Sequence, residues 1–310
     1  MAGAVLATLA AFATTGALLK GLPQRMPDYQ VRQIAEGGNQ PWLNGRCFLM
    51  NQDASAWAGQ ECVRTRGASE NALLWGDSFA AHYIAGLLEN QDQLTHNVVQ
   101  YTFAGCPPVL NYRSFARPGC EGFNQRVFDV IRTYDIKVVI IAARWDQLRQ
   151  RGLSGLSETI ARIQAAGPKV YVIAQSPMFS FDTSVLAYRK AGFEGNGRAS
   201  WYFSFDPHII DRLKEVAGTA TLVDPVQSFC AGKHCDYMRE DNLLFDDYGH
   251  FSPYGSDLAV RTYFPTLRRP LREVRAQNGP ETGDGARVIE VSPNRTEAGA
   301  VRLGAASASR

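Results

Sequence analysis

The sequence lacks a surplus of charge of either sign. Its 32 lysines and arginines nearly cancel 30 aspartates and glutamates, leaving a formal charge of +2. The basic residues are scattered, which argues against a nucleic-acid binder with its concentrated cationic surface. The one local cluster, Arg268, Arg269, Arg272 and Arg275, reads as a solvated helix face. No Cys-x-x-Cys occurs, and His234 beside Cys235 is the only Cys/His neighbourhood, so a zinc site is not expected. Internal repeats are absent. Residues 1–19 contain no charged side chain, so the basic n-region that opens a signal peptide is missing.

What is present points to export. The six cysteines fall as three local pairs, Cys47 with Cys62, Cys106 with Cys120 and Cys230 with Cys235. An even count in close pairs suits disulfides in an oxidising compartment, with buried free thiols as the competing reading. The uncharged N-terminal run has the length of a membrane-crossing helix, roughly 20 residues. Lys20 and Arg25 follow it, and the positive-inside rule taken alone would leave the next residues in the cytoplasm. The cysteines say the opposite. The conflict resolves if this helix closes a larger membrane domain whose other helices set the topology. Cleavage after Ala11-Phe12-Ala13 is the alternative.

The expected organisation is a transmembrane helix or uncleaved anchor over residues 1–20, a linker over 21–46, a folded domain over 47–277 and a disordered tail over 278–310. Within the domain, strands are expected at Asn71–Trp75, Asn97–Phe103, Ile136–Ala142, Lys169–Ala174 and Thr219–Val223. Helices are expected at Gly122–Tyr134, Leu156–Ala166 and Pro207–Ala217. Alternating strands and helices imply an α/β fold, a three-layer α/β/α sandwich around a mostly parallel sheet. Residues 176–205 break the rhythm and read as a lid or insertion. Their aromatics Trp201, Tyr202, Phe203 and Phe205 suit either packing or a sugar.

Active sites of such sheets lie beyond the carboxyl ends of the strands. There Leu73-Leu74-Trp75-Gly76-Asp77-Ser78 runs from strand to turn to helix. Ser78 would stand at a helix N-terminus, where backbone N–H groups can stabilise an oxyanion, although Ser78 or Asp77 could equally be a plain cap. Late in the chain, Asp247-Tyr248-Gly249-His250 precedes Ser252-Pro253, an N-cap followed by proline at the first helical position. The three-residue spacing can let Asp247 hold one imidazole nitrogen while the other meets a nucleophile. His82 stands one helical turn after Ser78, but it and His96, His208 and His234 are expected in structural or surface roles.

These blocks resemble the first and last blocks of the SGNH (GDSL-like) hydrolase superfamily. The closer resemblance is to the SGNH domain fused to membrane acyltransferase family 3 proteins. Leu74-Trp75-Gly76-Asp77-Ser78, Gly105-Cys106-Pro107-Pro108, Val138–Trp145 and Asp247-x-x-His250-x-Ser252 carry it, over roughly residues 45–270. The resemblance implies Ser78 as nucleophile, His250 as general base, Asp247 as its orienting partner, and the N–H groups of Ser78 and Gly105 as oxyanion donors. Gly105 also reads as a plain turn glycine. One block departs from the pattern. Where Gly-x-Asn-Asp is expected, the chain has Ala142-Ala143-Arg144-Trp145-Asp146, with no asparagine. Asp77, Arg144 and Trp145 stand as candidate substrate-binding residues, with packing or a surface ion pair as the alternative for Arg144 and Trp145.

The resemblance further implies a serine-dependent O-acyltransferase or acetylesterase acting on a cell-surface polysaccharide through an acyl-Ser78 intermediate. No metal or cofactor is implied. Residues 1–20 look like the last helix of such a fusion, so an inner-membrane anchor with a periplasmic domain is expected. The multi-helix acyltransferase domain is not in this sequence, so the acyl group is expected from a membrane-associated donor system. The contrasting expectation is a catalytically silent glycan-binding remnant of a truncated membrane acyltransferase.

Overall fold

The computed structural model describes residues 13–15, 41–51, 53–148, 150–190, 195–202 and 206–264. The expected anchor over 1–20, most of the linker, Phe203, Phe205, the Arg268–Arg275 cluster and the tail lie outside the described residues, residues 13–15 being helical. Among the described residues, no helix is long and apolar enough to cross a membrane.

The strands are β1 (Phe48–Leu49), β2 (Glu70–Gly76), β3 (His96–Phe103), β4 (Ile136–Ala142), β5 (Lys169–Ile173), β6 (Gly197–Ser200), β7 (Thr221–Val223), β8 (Cys230–Ala231), β9 (His234–Arg239) and β10 (Asn242–Leu243). The helices are α1 (Ser78–Ala81), α2 (Ile84–Glu89), α3 (Cys120–Gln125), α4 (Val127–Thr133), α5 (Gln150–Ala165), α6 (Thr183–Lys190), α7 (Ile209–Ala217), α8 (Val226–Phe229) and α9 (Pro253–Tyr263). A six-stranded sheet runs β1-β3-β2-β4-β5-β7, and every pairing in it is parallel. All five expected strands are in it. The edge strand β1 is an addition, too short to leave a periodic signal.

Successive side chains on a strand face opposite ways, and the central strands are buried on both faces. Leu73, Trp75, Val139 and Ile141 pack with residues of α3, α4, α5 and α7 on one face. Ala72, Leu74, Val138 and Ile140 pack with α2, α9 and the β9 region on the other. The result is the expected three-layer sandwich. The chain moves from β2 outward to β3, then returns across β2 to β4. The strand order therefore switches direction beside the carboxyl end of β2, where a crevice opens in such sheets.

Three expectations change. The helix expected over Gly122–Tyr134 is two, α3 and α4, meeting at Arg126 with ψ near −6°. Helix α5 starts at Gln150, six residues before the expected Leu156. Gly152 and Gly155 weaken its local preference, yet burial of Leu153 and Leu156 overrides that. Residues 176–205 contain α6 and β6, and β6 joins β9 and β10 in a small antiparallel sheet.

Candidate functional site

The site grows from the end of β2. A Cβ on Gly76 would stand 1.8 Å from the Ala142 carbonyl oxygen, so the turn between β2 and α1 admits only glycine. Asp77 then caps α1, accepting the Phe79 N–H at 2.8 Å. Its second oxygen accepts the Arg144 N–H at 3.0 Å, tying the end of β2 to the end of β4. Burial pushes the Asp77 carboxyl up to about 6, against the two backbone N–H groups and the positive charge of His250 and Arg144. Asp77 is thus a buried cap and tie, only 3% exposed. The expectation of a substrate contact is corrected, because both oxygens are committed to the backbone.

The second half of the site is the loop 245–251. Phe245 and Phe251 form an antiparallel bridge, and the Asp246 N–H donates to the His250 carbonyl at 2.9 Å. Residues 176–183 brace it from outside. The Phe179 N–H donates to the Tyr248 carbonyl at 2.7 Å. Thr183 Oγ1 reaches the carbonyls of Phe245 and Asp247 at 2.8 and 2.9 Å. The start of the expected lid is therefore a support of the loop. Ser252 caps α9 by accepting the Gly255 N–H, with Pro253 in the first turn.

Across these two pieces, His250 Nε2 lies 2.8 Å from Ser78 Oγ. His250 Nδ1 lies 2.7 Å from Asp247 Oδ2. The other Asp247 oxygen accepts the N–H groups of Gly249 and His250, each at 2.8 Å. Burial pushes the Asp247 carboxyl up, but the His250 hydrogen bond and charge and the two N–H groups outweigh it. The net result is a carboxyl below its ordinary range. The arrangement fixes the imidazole orientation and leaves one ring nitrogen at the serine hydroxyl, as nucleophilic catalysis requires.

Around this line, the expected site residues divide. Gly105 follows β3, the neighbour of β2, at φ +63°; the Cys106–Cys120 disulfide anchors the next residue to α3. Cys47–Cys62 and Cys230–Cys235 also form, so all three expected pairs are bonded. Arg144 donates to Asp146 at 3.2 Å and to Tyr248 Oη at 3.3 Å, and so reaches the loop that carries His250. Trp145 is corrected: it is wholly buried, with its indole N–H on the Ile173 carbonyl at 2.8 Å. It packs in the core and offers no surface to a substrate.

His82 packs behind the site. Its Nδ1 accepts the Phe251 N–H at 3.3 Å. Burial, then the charge of His250, hold its pKa well below the ordinary value. Trp201 donates its indole N–H to the Gly232 carbonyl at 3.0 Å and packs against both cores. Two residues near His250 were not legible as site residues. Trp42, in the expected linker, has its ring 5.9 Å from the His250 ring. Tyr248 lies 6.0 Å away; its place between Asp247 and His250 was the available signal.

Comparison with known proteins identifies the family and the fold. The family model described as "SGNH domain (fused to AT3 domains)" matches residues 46–265. The periplasmic domain of a lipopolysaccharide acetyltransferase from Salmonella ser. Paratyphi A superposes with a TM-score of 0.55 at 16% identity, covering 81% of this chain and 93% of that one. A GDSL-like lipase from Bacteroides thetaiotaomicron gives a TM-score of 0.36 at 11% identity, covering 67% and 92%. At these identities the structural likeness concerns the fold. No functionally curated protein matches the chain significantly.

Proposed function

The chain belongs to the family of SGNH domains fused to AT3 domains, and from that premise we propose that it is an extracytoplasmic serine-dependent O-acyltransferase or acetylesterase of cell-surface polysaccharide. The observation that carries the reading is the His250 imidazole spanning Ser78 Oγ and the Asp247 carboxylate at 2.8 and 2.7 Å. In the proposed reaction His250 Nε2 takes the Ser78 proton as Ser78 Oγ attacks the acyl carbonyl. The backbone N–H groups of Gly105 and of Ser78, which the Asp77 cap does not engage, hold the oxyanion. Arg144 adds positive charge in place of the absent asparagine. His250 returns its proton to the leaving group, and an acyl-Ser78 ester remains. A sugar hydroxyl or water, activated by the same imidazole, then takes the acyl group. No metal or diffusible cofactor enters these steps.

The three disulfides support a location outside the cytoplasm. The likeness to a periplasmic lipopolysaccharide acetyltransferase domain supports a glycan acceptor in the periplasm. The family's fusion to AT3 domains supports an acyl donor held in the membrane, with residues 1–20 as the anchor. A serine-directed fluorophosphonate and p-nitrophenyl acetate test the reading. Labelling at Ser78 that disappears in His250→Ala is expected. A folded protein that neither labels nor turns over would leave only the silent glycan-binding alternative.

A further inference from the structure

Residues 42–48, leading into β1, are tied to the rest of the domain. The Leu43 carbonyl accepts the N–H groups of Arg46, Cys47 and Phe48 at 3.0, 2.9 and 3.2 Å. Cys47 is bonded to Cys62. The Trp42 carbonyl accepts Nε2 of Gln100, a side chain with no exposure, at 2.8 Å. These ties fix Trp42, which stands four residues before the family match begins at residue 46. Its half-buried ring meets Phe48 edge-on at 5.1 Å and lies 5.9 Å from the His250 ring. Tyr248, 36% exposed, lies 6.0 Å from the same imidazole. Its hydroxyl is held by Arg144 at 3.3 Å.

Beside the buried Phe79, whose ring lies 4.7 Å from the His250 ring, two aromatic rings that are not fully buried therefore border the imidazole that would activate the acceptor. Aromatic faces attract the C–H-lined face of a pyranose, and rigid anchors do so at little entropic cost. We propose that Trp42 and Tyr248 form an aromatic acceptor subsite that stacks a pyranose ring and aims one of its hydroxyls at His250. The subsite rests on the acyl-Ser78 reading and adds its acceptor class. In the transfer step the sugar hydroxyl gives its proton to His250 Nε2 and its oxygen bonds to the acyl carbon. The bond from that carbon to Ser78 Oγ breaks, and Ser78 Oγ takes the proton from His250.

The test is a competition for one acyl-enzyme. With p-nitrophenyl acetate as donor, methyl β-D-glucopyranoside and glycerol are supplied together at equal concentration, and their acetate esters are counted by mass spectrometry. Both draw on the same intermediate, so their ratio does not depend on how fast Ser78 is acylated. Wild type is expected to favour the pyranoside. Trp42→Ala should cut the pyranoside-to-glycerol ratio by about fivefold, the worth of one aromatic contact. Tyr248→Leu should shift it the same way, and Trp42→Phe should keep most of it. A ratio unchanged in Trp42→Ala overturns the subsite. So does a wild type that acetylates only glycerol, or only water, and either result leaves the acyl-Ser78 reading standing. If Ser78 is not acylated at all, that reading falls and the subsite falls with it.

Discussion

Gly86 and Ser256 join the two halves of the site. The Gly86 N–H, an orphan donor in the first turn of α2, is accepted by Ser256 Oγ of α9 at 2.8 Å. A Cβ on Gly86 would lie 2.2 Å from the Ser256 carbonyl oxygen. Helix α2 lies just after Ser78 and α9 just after His250, so this contact sets the separation across which the imidazole meets the hydroxyl.

Gly86→Ala should therefore damage both stability and catalysis. Overpacking of this kind costs about 1–3 kcal/mol, and here the clash is with backbone. Urea unfolding should show the loss. In the folded variant, kcat should fall more than the unfolded fraction accounts for. Ser256→Ala strands the Gly86 N–H and should cost about 1–3 kcal/mol. A Gly86→Ala protein as stable and active as wild type would remove the contact from the account.

Asp77 gives a pH signature in stability. Burial raises its pKa from 3.8 to about 6. The folded state therefore binds the proton more tightly than the unfolded chain. Its contribution is complete below about pH 4 and is lost as pH rises through about 6, on the order of 3 kcal/mol in all. His82 works in the opposite sense. Its pKa is lowered well below 6.5, so its contribution is present above that value and is lost as pH falls. Comparing wild type with Asp77→Asn from pH 4 to 7.5 separates the two. Wild-type stability should decline relative to the variant as pH rises, and parallel curves would contradict the assignment.

Asp247→Asn should slow turnover of p-nitrophenyl acetate by about 10²–10⁴-fold, because an amide can hold the wrong imidazole tautomer. The wild-type carboxyl sits below its ordinary range, so it stays ionised across the working pH range. Ser78→Ala and His250→Ala act on one chemical unit. The double variant should then be no slower than Ser78→Ala alone. Additive losses would mean that the residues act separately.

The Cys106–Cys120 bridge closes a separation of 14 residues behind Gly105. Replacing both cysteines by alanine should cost about 2–4 kcal/mol. It should also slow fluorophosphonate labelling of Ser78 if Gly105 helps to hold the oxyanion. Mass mapping without reduction should recover all three pairs. Labelling at the wild-type rate in the double alanine variant would take Gly105 out of the oxyanion site.

Much of the fold was legible because its signals are local. The β-branched run of β4, the short apolar run of β2 and the Ser252-Pro253 start of α9 are each written within a few residues. The first turns of helix α5 are hard to read because two glycines mask a buried leucine face. The small sheet around β9 is less legible: β8 and β10 are two-residue strands in tight hairpins with β9, and β6 reaches β9 from more than 30 residues earlier. Ser78, Asp247 and His250 are each a weak local signal; their order, their strand-end and turn settings and the resemblance to the SGNH superfamily together point to them. For Trp145 and Asp77 the packing and capping alternatives stay open in the sequence, because a sequence does not state which way a side chain faces.

The parallel layering is readable from periodicity and the expected cysteine pairing from close spacing, while the site residues are readable only with the family resemblance added. That His250 meets a serine 172 residues away is visible in the folded molecule and nowhere in its local sequence. The folded molecule chooses capping for Asp77 and the core for Trp145, and it sets Trp42 beside the imidazole. Those outcomes depend on how the faces of distant elements pack against one another. Local preference does not encode that sum of long-range contacts.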